Sequence, residues 1–183
     1  MADVNKAIDF VLRQEDSKLA GICTNSPADR GGLTRFGIAA KWHPELVRVG
    51  YYQALRDDAL VTARKVYAEE YASFLSLPAI KSQSIANALL SFAILENAGR
   101  SALEMQNALN TLGCRVTVDG SIGPQTLKAI NGADPGRLLV AFVESNRAYL
   151  LGLIAKDVSQ VRWRNGWMNR CNAVAKQSTE VLV

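Results

Sequence analysis

The sequence is poor in the residues that most often carry chemistry. One histidine, His43, and three widely spaced cysteines, Cys23, Cys114 and Cys171, occur in 183 residues. No CxxC pair and no second imidazole exist, so a zinc site of the His/Cys kind is excluded as an expectation. A Ser-His-Asp or Cys-His mechanism would have to rest on His43 alone, which is followed at once by Pro44. An odd cysteine count without pairing logic reads as free thiols. Long apolar runs are also scarce. The longest, Ile85 to Leu95, is about half the ~20 residues a bilayer span needs, and it contains Asn87 and Ser91. The N-terminal stretch Met1–Lys6 is charged and has no apolar h-region, so no classical secretory signal is expected.

What is present is an ordinary globular composition, 49% apolar and 21% charged, with a formal charge of +4. The excess is uneven. Residues 1–83 carry 11 basic against 10 acidic groups, and residues 84–183 carry 10 against 7. Between Lys156 and Lys176 five cations stand against one acid, Asp157. Such a field suits an anionic polymer or surface. With so little histidine, any catalysis must lean on carboxylates.

The hydrophobic period is helical along most of the chain. Asp3 caps a first helix, in which Val4, Ala7, Ile8, Val11 and Leu12 form a stripe at i, i+3, i+4 spacing. The next position on that stripe is Glu15. A carboxyl stands where the pattern calls for leucine or valine. Desolvation there favours the neutral acid, the form that donates a proton; a carboxyl turned to solvent or capping the next turn is the plain alternative. From Asp16 to Ile38 the period vanishes among Gly21, Pro27, Gly31, Gly32 and Gly37, which predicts turns and a short β-hairpin. Helices are expected again near Phe36–Trp42, over Tyr52–Phe74, Ser84–Leu95 and Ser101–Leu112. Further helices are expected from Pro124 to Ile130, from Pro135 to Ile154 and over Trp163–Ala175. The inventory is all-α, with α+β character only in the small hairpin after the first helix. Pro78–Ser84 is the expected boundary between a lobe at 1–83 and a helical lobe at 84–183, packed as one compact unit.

The loop Asn25-Ser-Pro-Ala-Asp29-Arg30-Gly31-Gly32-Leu33-Thr34-Arg35-Phe36-Gly37-Ile38 offers an acceptor, Asp29, and a hydroxyl, Thr34, around a glycine bend. Asp29 beside Arg30 is expected to stay ionised. Two carboxyls in contrasting settings suit glycosidic hydrolysis; an ordinary turn aspartate is the alternative. Glu15 followed by this Asp-x-Gly-Gly-x-Thr-x-Phe-Gly-Ile stretch resembles the signature of glycoside hydrolase family 108, the N-acetylmuramidases with a lysozyme-like fold. Val118-Asp119-Gly120-x-Ile122-Gly123-Pro124 resembles the start of that family's peptidoglycan-binding half, and Gly166-Trp167-x-x-Arg170 resembles its closing motif. After Glu15 this chain reads Asp-Ser-Lys-Leu-Ala-Gly where the family has Gly-Gly-Tyr, so the interval to Asp29 is longer.

The resemblance implies a lysozyme-like helical fold, with a catalytic lobe at 1–83 and a peptidoglycan-binding-like lobe at 84–183. It implies Glu15 as general acid, with Asp29 and Thr34 serving water or the developing charge. Arg30, Gly31, Gly32, Phe36, Gly37, Trp42 and Trp167 are the expected substrate contacts. No metal or organic cofactor is implied. The expected partner is bacterial peptidoglycan rather than nucleic acid. The basic C-terminal segment is expected to meet anionic wall or membrane, with Trp163 and Trp167 packed inward. The expected protein is a monomer made in the cytoplasm that reaches the wall by holin-type or dedicated release. A lytic transglycosylase and a non-catalytic wall-binding or export-assisting module are the competing readings.

Overall fold

The computed structural model describes residues 1–25 and 31–178. Helix α1, Val4–Glu15, begins where the Asp3 carboxylate accepts the amides of Asn5 and Lys6, and it buries the expected stripe of Ala7, Ile8, Val11 and Leu12. Two short antiparallel strands follow, β1 (Thr34–Arg35) and β2 (Ile38–Ala39), in the register Thr34 to Ala39 and Arg35 to Ile38. A bridge from Thr24 to Thr34 draws the incoming chain onto the same hairpin. Helices α2 (Pro44–Arg48) and α3 (Arg56–Val66) complete the first part. Then come α4 (Gln83–Leu95), α5 (Ala98–Thr111), α6 (Pro124–Gly132), α7 (Pro135–Lys156) and α8 (Arg164–Ala175).

Helix α4 is the axis of the molecule. It is apolar on nearly every side, with Ile85, Ala86, Ala88, Leu89, Leu90, Phe92 and Ala93 all buried. A helix with no polar face must be surrounded, and α4 packs on α1, α5, α7 and α8. Phe92 meets Phe142 of α7 edge to face, with ring centroids 5.3 Å apart. Helix α7 is long and apolar enough to cross a membrane by length and composition, but its Leu138, Leu139, Phe142, Val143 and Leu150 are spent on this core.

Two expectations about elements need correction. Phe36–Trp42 is not helical. Phe36 and Gly37 both take positive φ, 49° and 76°, and reverse the chain between β1 and β2. The segment expected as one helix over Tyr52–Phe74 starts only at Arg56 and widens into a π-helix over Tyr67–Ala72. Helix α8, Arg164–Ala175, lies where it is expected, with a 3-10 turn over Val158–Trp163 before it. All three cysteines are free, as expected.

The turn at Val118–Pro124 owes its shape to one buried side chain. Gln106 of α5 donates from Nε2 to Asp119 Oδ1 at 2.8 Å and to the Ser121 carbonyl at 2.9 Å. Its Oε1 accepts the amides of Asp119 and Gly120 at 3.0 and 2.9 Å. The hydrogen bond from Gln106, joined by that from the Ser121 amide, holds the Asp119 carboxyl below its ordinary range. The motif is therefore a structural staple.

Candidate active site

Glu15 is the last residue of α1, and three other elements converge on it. Gly37 of the hairpin turn lies directly against its side chain: a Cβ there would stand 2.7 Å from Glu15 Cγ and 2.6 Å from the Tyr67 hydroxyl. Only glycine tolerates both that approach and the φ of 76°. The Tyr67 hydroxyl donates to the Phe36 carbonyl at 2.7 Å. Burial, and after it the neighbouring Glu15 charge, pushes Tyr67 well above the ordinary phenol range, so it remains a donor. From α8, Arg170 Nη2 donates to Glu15 Oε1 in an ion pair. Arg170 Nη1 donates to the Ser91 carbonyl of α4 at 3.2 Å, and Ser91 Oγ bonds Gln14 Oε1 at 2.5 Å. The Glu15 side chain is 19% exposed and that of Arg170 12%, so the pair is sheltered yet reachable.

The pair lies in the floor of a cleft of about 1370 Å³. One side comes from the hairpin, with Gly31, Thr34, Gly37, Trp42 and His43. The other comes from the C-terminal segment, with Arg162, Trp163, Gly166 and Trp167. The end of α4, Ala93–Glu96, lies between them. Thr34 is half-buried, and its hydroxyl donates to the Gly32 carbonyl at 3.1 Å. Trp42 is 66% exposed. Of the expected contacts, then, Gly31, Gly37, Trp42 and Trp167 line the cleft, and Gly32 adjoins it. Phe36 does not: it is buried in the core, beneath Gly21. Asp29 and Arg30 lie outside the described residues.

The expectation that Trp163 and Trp167 pack inward holds for Trp167, which is half-buried against the core, and is corrected for Trp163. Trp163 is 36% exposed, and both residues line the cleft. The longer stretch after Glu15 folds on itself. Asp16 Oδ2 accepts the Gly21 amide at 2.6 Å. Partial burial works against that charge, but the amides of Gly21, Ala20, Lys18 and Leu19 outweigh it and hold Asp16 low.

Two features escaped the sequence. Arg170 was visible only as part of a closing motif; nothing local ties it to a carboxyl 155 residues earlier. Glu96, at the end of α4, lines the cleft with both carboxyl oxygens buried and without a hydrogen-bond partner. Burial, reinforced by Glu104 and partly offset by Arg100, pushes it up to about 8. His43 lies between Glu45 and Glu70, with Nδ1 3.3 and 3.7 Å from their oxygens. It is the one group among the described residues that could hold a metal ion, and the pairing serves equally as a buried imidazole between two half-exposed acids.

Comparison with known proteins gives the family and the fold. The family model for glycosyl hydrolase 108 matches residues 8–99. The chain belongs to glycosyl hydrolase family 108. A model described as a predicted peptidoglycan domain matches residues 100–172, so the two matches meet at the α4–α5 junction. The solved structure of SagA from Brucella abortus superposes with a TM-score of 0.74 at 22% identity, over 97% of this chain and 94% of that one. It shows the same mostly helical, lysozyme-like fold. No curated protein matches the sequence significantly. This glycosyl hydrolase family member thus carries its cleft across both matched regions, with Glu15 and Thr34 from the first and Trp167 and Arg170 from the second.

Proposed function

We propose that the protein is a muramidase that hydrolyses the β-1,4 bond between N-acetylmuramic acid and N-acetylglucosamine in peptidoglycan. The observation that carries this reading is the position of Glu15: a carboxyl lining a large cleft, pinned by Gly37 on one side and Arg170 on the other. Membership of the glycosyl hydrolase family supplies the reaction class.

Glu15 is the proton donor to the glycosidic oxygen, a role it takes once the incoming sugar draws it out of its ion pair with Arg170. The C1–O bond breaks as positive charge develops on the sugar ring, and water adds at C1, losing a proton to a carboxylate. Asp29 is the proposed partner for water or charge, and Thr34 its helper. Trp42 and Trp167 offer aromatic faces to the sugars, and Gly31 lets a sugar approach the backbone. The site of action is the cell wall, reached by holin-type or dedicated release, and the working form is a monomer.

Glu15→Gln is expected to cut turnover at least ~10²-fold, the usual scale for a general acid, with the fold retained. Mass spectra of digested sacculi check the reaction itself. Reducing muropeptides support hydrolysis. Anhydro muropeptides would make the enzyme a lytic transglycosylase, and no products at all would leave a wall-binding module.

A further inference from the structure

Each side of the cleft carries an exposed tryptophan with a cation resting on it. On the hairpin side, Lys41 Nζ lies 4.9 Å from the centroid of the Trp42 ring. On the C-terminal side, Arg162 Cζ lies 5.6 Å from the centroid of the Trp163 ring. Among the described residues neither cation is paired with a carboxylate, whereas Arg170 is. Among the described residues the one other acid lining the cleft, Glu96, is held mostly neutral near pH 7 by its burial and does not offset them.

Each cation covers one face of its indole, so a sugar ring stacks its apolar face on the other, and the cation needs an anion beside that sugar. A bare glycan meets only the first demand. A glycan whose alternate sugars bear a lactyl-linked peptide with free carboxylates meets both. We propose that Lys41 and Arg162 bind the stem-peptide carboxylates of peptidoglycan, making the cleft selective for peptide-bearing glycan over the same glycan stripped of its peptides. The proposal rests on the cleft being the glycan site. It adds a specificity device on each side that the glycosidase chemistry does not itself require.

The test measures affinity in the Glu15→Gln background, so that recognition is read without turnover. The probes are soluble glycan strands with intact peptides, and the same strands after amidase treatment. The intact strands are expected to bind about tenfold more tightly at low salt. That advantage should shrink as added salt shortens the Debye length from ~10 Å at 0.1 M to ~3 Å at 1 M. Lys41→Gln with Arg162→Gln should remove most of the advantage while changing the affinity for stripped strands less than twofold. Equal binding of the two probes, or an equal loss on both in the double variant, would overturn the proposal. So would a double variant that keeps its peptide preference but no longer binds vesicles rich in anionic lipid, which would assign these cations to a membrane. Failure of the muramidase reading shows up separately, as absence of products in a wild-type digest, and leaves this affinity comparison intact.

Discussion

Gly37 and Glu96 show how much of the site depends on single residues. A methyl group at position 37 collides with both Glu15 and Tyr67 in a backbone conformation that L-residues rarely adopt. Gly37→Ala is therefore expected to lower turnover at least tenfold and to cost ~1–3 kcal/mol of stability, checked by steady-state rates and a urea melt on the same preparation. Glu96 makes a different prediction. Its carboxyl titrates near its ordinary 4.5 in the unfolded chain and near 8 when folded. Between those values the folded state holds a proton that the unfolded state has lost, so stability falls as pH rises, by at most ~1.4 kcal/mol per pH unit. Above about 8 the loss is complete and the curve flattens. Glu96→Gln should match the wild type at pH 4 and exceed it increasingly from pH 5 to 8, as chemical denaturation at fixed pH values would show. Glu15 was legible in the sequence because a charge on an apolar stripe contradicts its surroundings. Arg170 was not legible as its partner, because the contact is made only when α1 and α8 meet across α4.

Among the elements, those with a sustained apolar period and a cap were readable: α1 behind Asp3, α7 behind Asp134 and Pro135, and α6 behind Pro124. The misread segments share a cause. Around Phe36–Trp42 and Tyr67–Ala72 the backbone is set by contacts distant in sequence. The Tyr67 hydroxyl bond to the Phe36 carbonyl joins the two, and no local pattern encodes it. The stretch Val118–Pro124 was readable as a family-like motif, but its dependence on Gln106 was not. Gln106→Leu removes an acceptor for two amides and a donor to two carbonyl or carboxylate oxygens in a buried site. A loss of ~2–4 kcal/mol is expected, together with earlier amide exchange at Asp119 and Gly120.

At the scale of the whole molecule, a boundary near residue 83 falls between α1 and α4, which pack directly on each other. One continuous core runs from Ala7 to Val174. Heat or denaturant should therefore unfold the protein in a single transition, with secondary-structure and tryptophan signals coincident. A fragment of residues 1–83 should stay unfolded by circular dichroism, because the stripe of α1 would have nothing to lie against. The length of the chain and its dominant helical period made an all-helical core legible. The sharing of α4 between both halves was not, since its all-round apolarity names no particular neighbour.

The ion pair between Glu15 and Arg170 also has a meaning in time. A ribosome delivers Glu15 well before its guanidinium partner, which emerges 155 residues later, an interval on the order of 8–30 s at ~5–20 residues per second. Through that interval the acid exists without the residue that holds it and without the tryptophans of the far wall. A nascent chain that stops short of Arg170 thus lacks this ion pair, and the cleft is complete only once α8 docks.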